Sequence, residues 1–202
     1  MKQFIISIGR EFGSAGHEIA QRLAEHYNLK MYDRNLLQEI AEEKELDISA
    51  LQEFDEKLRN RFLSRTVRNM SSPPEDNVAN IQFNYLKDKA KSGKSFVVVG
   101  RCSETVLKEY PGLISIFVTG DMKCKLERIE NIYHLTGKKA EKFIFENNLK
   151  RKLYHNSHCK KTWGDSRNYD LTINSSKLGL DGSIEMLIQY IDARIAHMEE
   201  EC

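Results

Sequence analysis

The sequence predicts an α/β protein of three layers, in which helices cover both faces of a five-stranded, mainly parallel sheet. Three observations lead to this prediction. Short apolar runs alternate with segments of helical period along the 202 residues, a pattern typical of parallel strands joined by right-handed crossovers. The run at 95–100 is apolar without interruption, as expected for a central strand buried on both faces. A glycine-rich turn joins the first predicted strand to the first predicted helix.

The first unit is a strand at 3–8, three glycines at 9, 13 and 16, and a helix at 18–27. The strand is rich in β-branched residues, and the helix repeats its apolar residues at helical spacing. Glycine lets the backbone turn tightly and leaves no Cβ in the way of a ligand. Because backbone N–H groups at a helix N-terminus attract anions, we expect this turn to hold phosphate groups.

The turn matches the P-loop pattern G-x-x-x-x-G-K-[ST] at one of its four fixed positions. Gly16 occupies the second glycine position, whereas Glu11, His17 and Glu18 stand where glycine, lysine and a hydroxyl residue are usual. The alternative interpretation is a tight turn between strand and helix that binds no ligand.

The chain continues with a short strand at 30–33 and a helix at 35–43. Asp47 is positioned to cap a further helix that runs to about residue 57. The segment at about 60–77 loses periodicity and contains Ser71-Ser72-Pro73-Pro74, so it is predicted to be a mobile loop. Its arginines are either solvated or line a substrate cleft. The elements predicted after this loop are a helix at 78–91, the central strand at 95–100, a strand at 113–118, a helix at 121–133, a basic helical lid at about 134–162, a strand at 169–174 and a closing helix at 181–196.

Several polar residues follow directly after predicted strands. In parallel sheets ligands bind beyond the carboxyl ends of the strands, so these residues are expected to lie along one edge with the glycine turn. They are Asp33 and Arg34, Arg101, the Thr119-Gly120-Asp121 segment and Asn174.

Composition excludes several classes of function. The formal net charge is +1 with 30% charged residues, which gives no global attraction to nucleic acid. No apolar run approaches the ~20 residues that a membrane helix needs. The N-terminus enters a strand almost at once, so no signal peptide is expected and the cytoplasm is the predicted location. One domain is expected for residues 1–202.

The cysteines at 102, 124, 159 and 202 lack paired spacing, so free thiols are expected. The sequence His155-x-x-His158-Cys159 has a spacing that suits a metal on a helix. No second group of ligands accompanies it in the sequence, and a solvated basic helix face is therefore the preferred interpretation.

Three motifs in order resemble those of the cytidylate kinase-like family, which belongs to the P-loop nucleoside monophosphate kinases. They are Gly9-Arg10-Glu11-Phe12-Gly13-Ser14-Ala15-Gly16 after the first strand, Tyr32-Asp33-Arg34 after the second, and Gly100-Arg101 after the central strand. Later stretches fit as well: Lys150-Arg151-Lys152-Leu153-Tyr154, Trp163-Gly164-Asp165 and Tyr169-Asp170-Leu171-Thr172-Ile173-Asn174. The resemblance covers about residues 3–197.

The resemblance implies a P-loop kinase-like fold and transfer of the ATP γ-phosphoryl group to a nucleoside monophosphate, such as the pyrimidine nucleotide CMP, with Mg²⁺. Nucleotides are the implied partners, without nucleic acid or membrane. Catalysis then consists of positioning and of cationic stabilisation of the transferred group. The residues expected to bind the ATP phosphates are Gly13, Ser14, Ala15, Gly16, His17 and Glu18. Those expected to bind the acceptor are Asp33, Arg34 and Arg101, and those expected to act in catalysis are Arg10, His17, Arg128 and Arg151.

Some of these residues have simpler interpretations. Asp33 could cap the following helix, Arg101 could pair with a carboxylate, and Arg128 could be an exposed partner on its own helix. The departures at His17 and Glu18 weaken the expected contacts to phosphate and Mg²⁺. Two alternatives therefore stand beside the kinase: a noncatalytic nucleotide-binding or regulatory protein on the same fold, and a kinase of a small metabolite.

Overall fold

A computed structural model describes residues 2–44 and 74–200. Its five strands form one sheet, in which the second strand along the chain is followed by the third, first, fourth and fifth, and every neighbouring pair is parallel. The predicted α/β fold class is confirmed. The helix predicted at 47–57 and most of the predicted mobile loop lie outside the described residues.

The strands coincide with the predicted apolar runs to within a few residues. They are β1 (Ile5–Arg10), β2 (Lys30–Tyr32), β3 (Phe96–Val99), β4 (Leu113–Thr119) and β5 (Leu171–Asn174). In the centre of the sheet Ser7 of β1 lies between Val98 of β3 and Ser115 of β4. All four residues of β3 are buried, as expected for a central strand.

The helices of the described chain follow each strand in turn. They are α1 (Gly16–His26), α2 (Leu36–Lys44), α3 (Pro74–Lys91), α4 (Ser103–Val106), α5 (Met122–Tyr133), α6 (Gly137–His158) and α7 (Ser175–Glu200). A short 3₁₀ turn at Ser166–Asn168 precedes β5. Helix α6 is the predicted lid helix.

Alternate side chains of the strands point to opposite faces of the sheet and pack into two hydrophobic cores, one on each face. Ile6 and Ile8 of β1 pack with the apolar stripes of α1 and α7. Ile5 of β1 and Phe96 of β3 pack with α2 and α3 on the opposite face. This period of two is what places helices on both faces, and it produces the three predicted layers.

Two helix starts differ most from the prediction. Residues 74–77, predicted to be loop, form the first turn of α3, because proline is well tolerated at the start of a helix. Helix α7 begins at Ser175, before the predicted 181, and it is interrupted at Gly179, whose φ of 68° no regular helix contains. The predicted helix therefore corresponds to the part after this kink.

Candidate functional site

The first strand ends in a loop whose backbone needs glycine. We call residues 9–18 the glycine loop. Gly13 has φ 83° and Ala15, which precedes α1, has φ 59°. A Cβ added to Gly16 would lie 2.5 Å from the Cβ of Arg10, closer than real side chains approach. The loop can therefore turn sharply into α1 only with glycine at this position.

The N-terminus of α1 is left open. In the described parts of the chain no acceptor is found for the backbone N–H groups of residues 13–18, and Ala15 has no side chain that could cap the helix. The hydroxyl of Ser14 donates inward instead, to the carbonyl oxygens of Glu11 and Val118 at 2.9 and 3.1 Å. Open N–H groups at a helix N-terminus are the geometry that binds phosphate.

These N–H groups face a cavity of about 590 Å³, which we call the loop cavity. It is strongly cationic, because five arginines from five different segments line it. The predicted site residues among those that line it are Arg10, Gly13, Ala15, Gly16, His17, Glu18, Arg34, Arg128 and Arg151. The fold thus assembles most of the site predicted from sequence.

Arg10 at the end of β1 carries a charge that is poorly compensated. Its Nε atom is buried and has no hydrogen-bond partner in the described parts of the chain. Burial lowers the pKa of Arg10 well below its usual value, and the neighbouring charges of Arg151 and Arg101 lower it further, while Asp33 partly opposes them. A bound anion would relieve this repulsion and satisfy the Nε donor.

Helix α6 lies directly against the glycine loop. The Arg151 Nη1 atom donates to the carbonyl oxygen of Arg10 at 3.1 Å, and its guanidinium lies 5.3 Å from the centre of the Phe12 ring. Asn148 on the same helix accepts the Phe12 N–H at 2.6 Å. Burial lowers the pKa of Arg151 to about 10. The predicted lid therefore holds the backbone of the loop and brings a cation to it.

Of the three residues that depart from the P-loop pattern, His17 and Glu18 each contact a charged neighbour. His17 Nε2 lies 2.8 Å from Asp33 Oδ2, and Glu18 forms an ion pair with Arg128. Burial alone would raise the pKa of Asp33, but hydrogen bonds from His17 and the Asn35 N–H bring it below its ordinary value.

These contacts bear on two of the simpler interpretations. Asp33 does accept the Asn35 N–H at 2.8 Å, as a residue that caps the following helix would, yet it also joins the loop through His17. Arg128 pairs across the cavity with Glu18 rather than along its own helix. It thus reaches the loop from α5.

Arg101 lies beside the loop cavity without lining it. Its backbone has φ 59° in the turn after β3. Its Nη2 atom donates to the carbonyl oxygen of Arg34 at 3.3 Å, and Arg34 does line the cavity. The two arginines predicted to bind the acceptor are therefore adjacent, with Arg34 the more directly placed.

A lysine that was not predicted to be a site residue forms an ion pair with the glycine loop. Lys125 of α5 is buried and donates to Glu11 Oε2 at 2.8 Å, and Thr119 donates to the same oxygen at 2.8 Å. Lys125 stands four residues before buried Ile129, and this spacing was the available signal for an inward position. The negative group at Glu11 is thus neutralised within the protein.

The expectation of a solvated face at His155-x-x-His158-Cys159 is wrong. His155 and Cys159 are buried, and so is Cys102, which approaches them from the turn after β3. Cys102, more than fifty positions before His155 in the sequence, is the neighbour that the local spacing did not reveal. The three cysteines of the described chain, Cys102, Cys124 and Cys159, are free thiols as expected.

None of the helices in the described ranges is both long and apolar enough to cross a membrane.

Comparison with known proteins agrees with this geometry. The model of the cytidylate kinase-like family matches residues 5–177. A search of curated proteins finds no match. Among solved structures, an uncharacterized protein from Eubacterium ventriosum ATCC 27560 is 37% identical, with a TM-score of 0.75, and the match covers 94% of this chain and 99% of that chain.

More distant structures share the fold. A shikimate kinase from Bacteroides thetaiotaomicron is 12% identical with a TM-score of 0.55, and the match covers 94% of this chain and 98% of that one. A gluconokinase from Sinorhizobium meliloti 1021 is also 12% identical with a TM-score of 0.53, covering 98% and 94%. At this identity the likeness concerns the fold alone.

Proposed function

Because this chain belongs to the cytidylate kinase-like family, we propose that it transfers the γ-phosphoryl group of ATP to a pyrimidine nucleoside monophosphate such as CMP. Family and fold support the coarser assignment to the phosphotransferases. The observation that carries the proposal is the loop cavity, which combines uncapped amides of residues 13–18 with five arginines. Such a cavity suits a nucleoside triphosphate and a nucleoside monophosphate that meet at one reacting phosphorus.

In this proposal the ATP phosphates accept hydrogen bonds from the open N–H groups of the glycine loop. A helix N-terminus and oriented amides stabilise negative charge without any side chain. His17 replaces the usual lysine, and because its Nε2 pairs with Asp33 it does not supply the charge that a lysine would bring to the phosphates. Arg10 and Arg151 lie close enough to the loop to make up the missing charge.

In this proposal Arg34 and Arg101 bind the phosphate of the acceptor. The two arginines follow β2 and β3 and contact each other. A guanidinium can bind two phosphate oxygens at once, which fixes the orientation of the acceptor. Asp33, held by His17, links this side of the cavity to the loop. In-line phosphoryl transfer needs the donor and acceptor phosphates at a fixed separation. The His17–Asp33 contact fixes the position of the acceptor side of the cavity relative to the glycine loop.

Mg²⁺ fits the oxygen donors of the loop cavity. Glu11 and Glu18 both line it, and carboxylates together with substrate phosphates are the ligands that Mg²⁺ prefers. Because Glu11 is neutralised by Lys125, Glu18 is the residue that would hold the ion. For this the ion pair between Glu18 and Arg128 must first break. When bound, Mg²⁺ neutralises charge on the donor phosphates. Arg128, once free of Glu18, can then turn towards the transferred group.

One observation favours a second candidate, a nucleotide-binding protein without turnover. His17 and Glu18 occupy the two P-loop positions that normally contact phosphate and metal, and both are engaged by protein partners, Asp33 and Arg128. If those contacts persist in the complex, the protein binds nucleotide but lacks the groups that drive transfer.

A coupled assay with ATP and Mg²⁺ separates the candidates. The acceptors are CMP, dCMP, UMP and AMP, with shikimate and gluconate as small metabolites. We expect turnover with a pyrimidine monophosphate and its loss in Arg128→Ala, whereas Arg167→Ala, which changes an exposed arginine paired with Asp165 outside the cavity, keeps it. Turnover with a small metabolite alone would contradict the acceptor. Thermal stabilisation by ATP without turnover of any acceptor would establish the binding protein instead.

A further inference from the structure

Three buried side chains that the proposed phosphotransfer does not use converge outside the loop cavity. Cys102 lies in the turn between β3 and α4, His155 lies in the last turn of α6, and Cys159 follows that helix directly. Their sulfur and nitrogen atoms all lie within 4.8 Å of one another. We call them the Cys–His cluster.

The donors of this cluster suit a zinc-type ion. Thiolate and imidazole together select Zn²⁺ over the hard cations, which prefer oxygen. Bonds of about 2.0–2.3 Å to a tetrahedral zinc place its ligand atoms roughly 3.3–3.8 Å apart. The cluster is already close to that arrangement, and small side-chain rotations would complete it.

A carboxylate fixes the imidazole in the way that metal-binding histidines require. His155 Nε2 lies 2.7 Å from Glu104 Oε1, and both residues are buried. A ligating histidine usually gives its other ring N–H to such a carboxylate. This leaves Nδ1 for the ion, because its contact to an oxygen, Asn156 Oδ1, is long at 3.3 Å. His155 also makes a side-chain hydrogen bond with Cys159, which shows that the two candidate ligands already touch.

The cluster also has a route to solvent and room for a fourth ligand. Cys159 lines a second cavity of about 390 Å³, together with Thr105 of α4. A metal can enter there, and a water molecule can complete the tetrahedron, as in sites with three protein ligands.

We propose that Cys102, His155 and Cys159 bind a Zn²⁺-type ion, with Glu104 as the residue that orients the histidine. The ion ties the end of α6 to the turn that carries Arg101. Because α6 also supplies Asn148 and Arg151 to the glycine loop, the bound ion fixes the base of the predicted lid. The proposal does not depend on which substrate the loop cavity binds.

Cobalt titration of the reduced, metal-free full chain tests the site, with any affinity tag removed. Four-coordinate Co²⁺ with thiolate ligands gives intense visible and near-ultraviolet absorption. We expect one Co²⁺ per chain, displaced by one equivalent of Zn²⁺, and a higher melting temperature with Zn²⁺. Cys102→Ser and Cys159→Ser should each weaken binding at least 100-fold. Cys124→Ser is the matched control because Cys124 is exposed, and it should bind as the wild type does.

A second pair of measurements covers variants that fail to fold. In the wild type, Zn²⁺ should protect two thiols from a thiol reagent, and a chelator should expose them again. Glu104→Gln should weaken Co²⁺ binding about 10–100-fold, as loss of such a supporting carboxylate does elsewhere. Absence of saturable Co²⁺ binding, an unchanged spectrum in both cysteine variants, or a Cys102–Cys159 disulfide whose reduced form binds no metal would each overturn the proposal.

Discussion

Replacing Arg10 with methionine should affect the free protein and the ligand complex in opposite ways. The substitution keeps the apolar stem and removes a charge whose Nε has no partner in the described residues. Since Arg151 and Arg101 oppose that charge, we expect the free energy of unfolding of the free protein to stay within about 1 kcal/mol or to rise.

Ligand binding by the same variant should weaken clearly. A hydrogen bond from a charged donor contributes about 1.5–3 kcal/mol, which corresponds to roughly a 10- to 150-fold loss of nucleotide affinity at about 1.4 kcal/mol per tenfold. Calorimetry with ATP and CMP measures the loss, and thermal unfolding without ligand measures stability. For a domain of this size 1 kcal/mol shifts the melting temperature by about 2–4 °C.

The reasoning on Arg10 is refuted by the reverse pattern. A free protein destabilised by more than about 2 kcal/mol, with unchanged nucleotide affinity, would mean that Arg10 is a structural residue with a partner in the fold. Arg167→Met serves as control, because Arg167 is exposed and distant from the loop cavity, and it should change neither measurement.

Three further substitutions test the supports of the site. Glu11→Gln removes the counter-charge of buried Lys125 and should lower the free energy of unfolding by about 2–3 kcal/mol, less than for a fully buried pair because the Glu11 side chain is a quarter exposed. The double variant Glu11→Gln/Lys125→Met should recover this stability. An unchanged unfolding midpoint in Glu11→Gln would disprove the ion pair. Arg101→Ala should raise KM for the nucleoside monophosphate without changing KM for ATP or the melting temperature, and unaltered kinetics would place the acceptor elsewhere. His17→Lys should keep or raise ATP affinity in calorimetry, since lysine adds charge and can still pair with Asp33; a weaker complex would show a specific role for the imidazole.

Local pattern in the sequence was sufficient for the sheet and for the glycine loop. The continuous apolar run of β3 and the strand–glycine–helix order around Gly16 depend on short-range chemistry, and the structure has both. The resemblance then brought together Arg10, Arg128 and Arg151, which lie in one cavity.

Contacts between distant segments could not be predicted in the same way. The spacing to Ile129 indicates that Lys125 faces inward, but its partner Glu11 lies 114 positions away and does not follow from that spacing. Cys102 and Cys159 have no paired spacing in the sequence, and only the packing of α6 against the turn after β3 makes them neighbours of His155.

The most direct test of the loop cavity is a crystal structure with a non-hydrolysable ATP analogue and Mg²⁺. The account predicts phosphate oxygens within hydrogen-bond distance of the N–H groups of residues 13–18, with the Arg10 guanidinium turned towards them. A nucleotide bound at another surface, or a glycine loop whose N–H groups are capped by protein side chains in the complex, would contradict it.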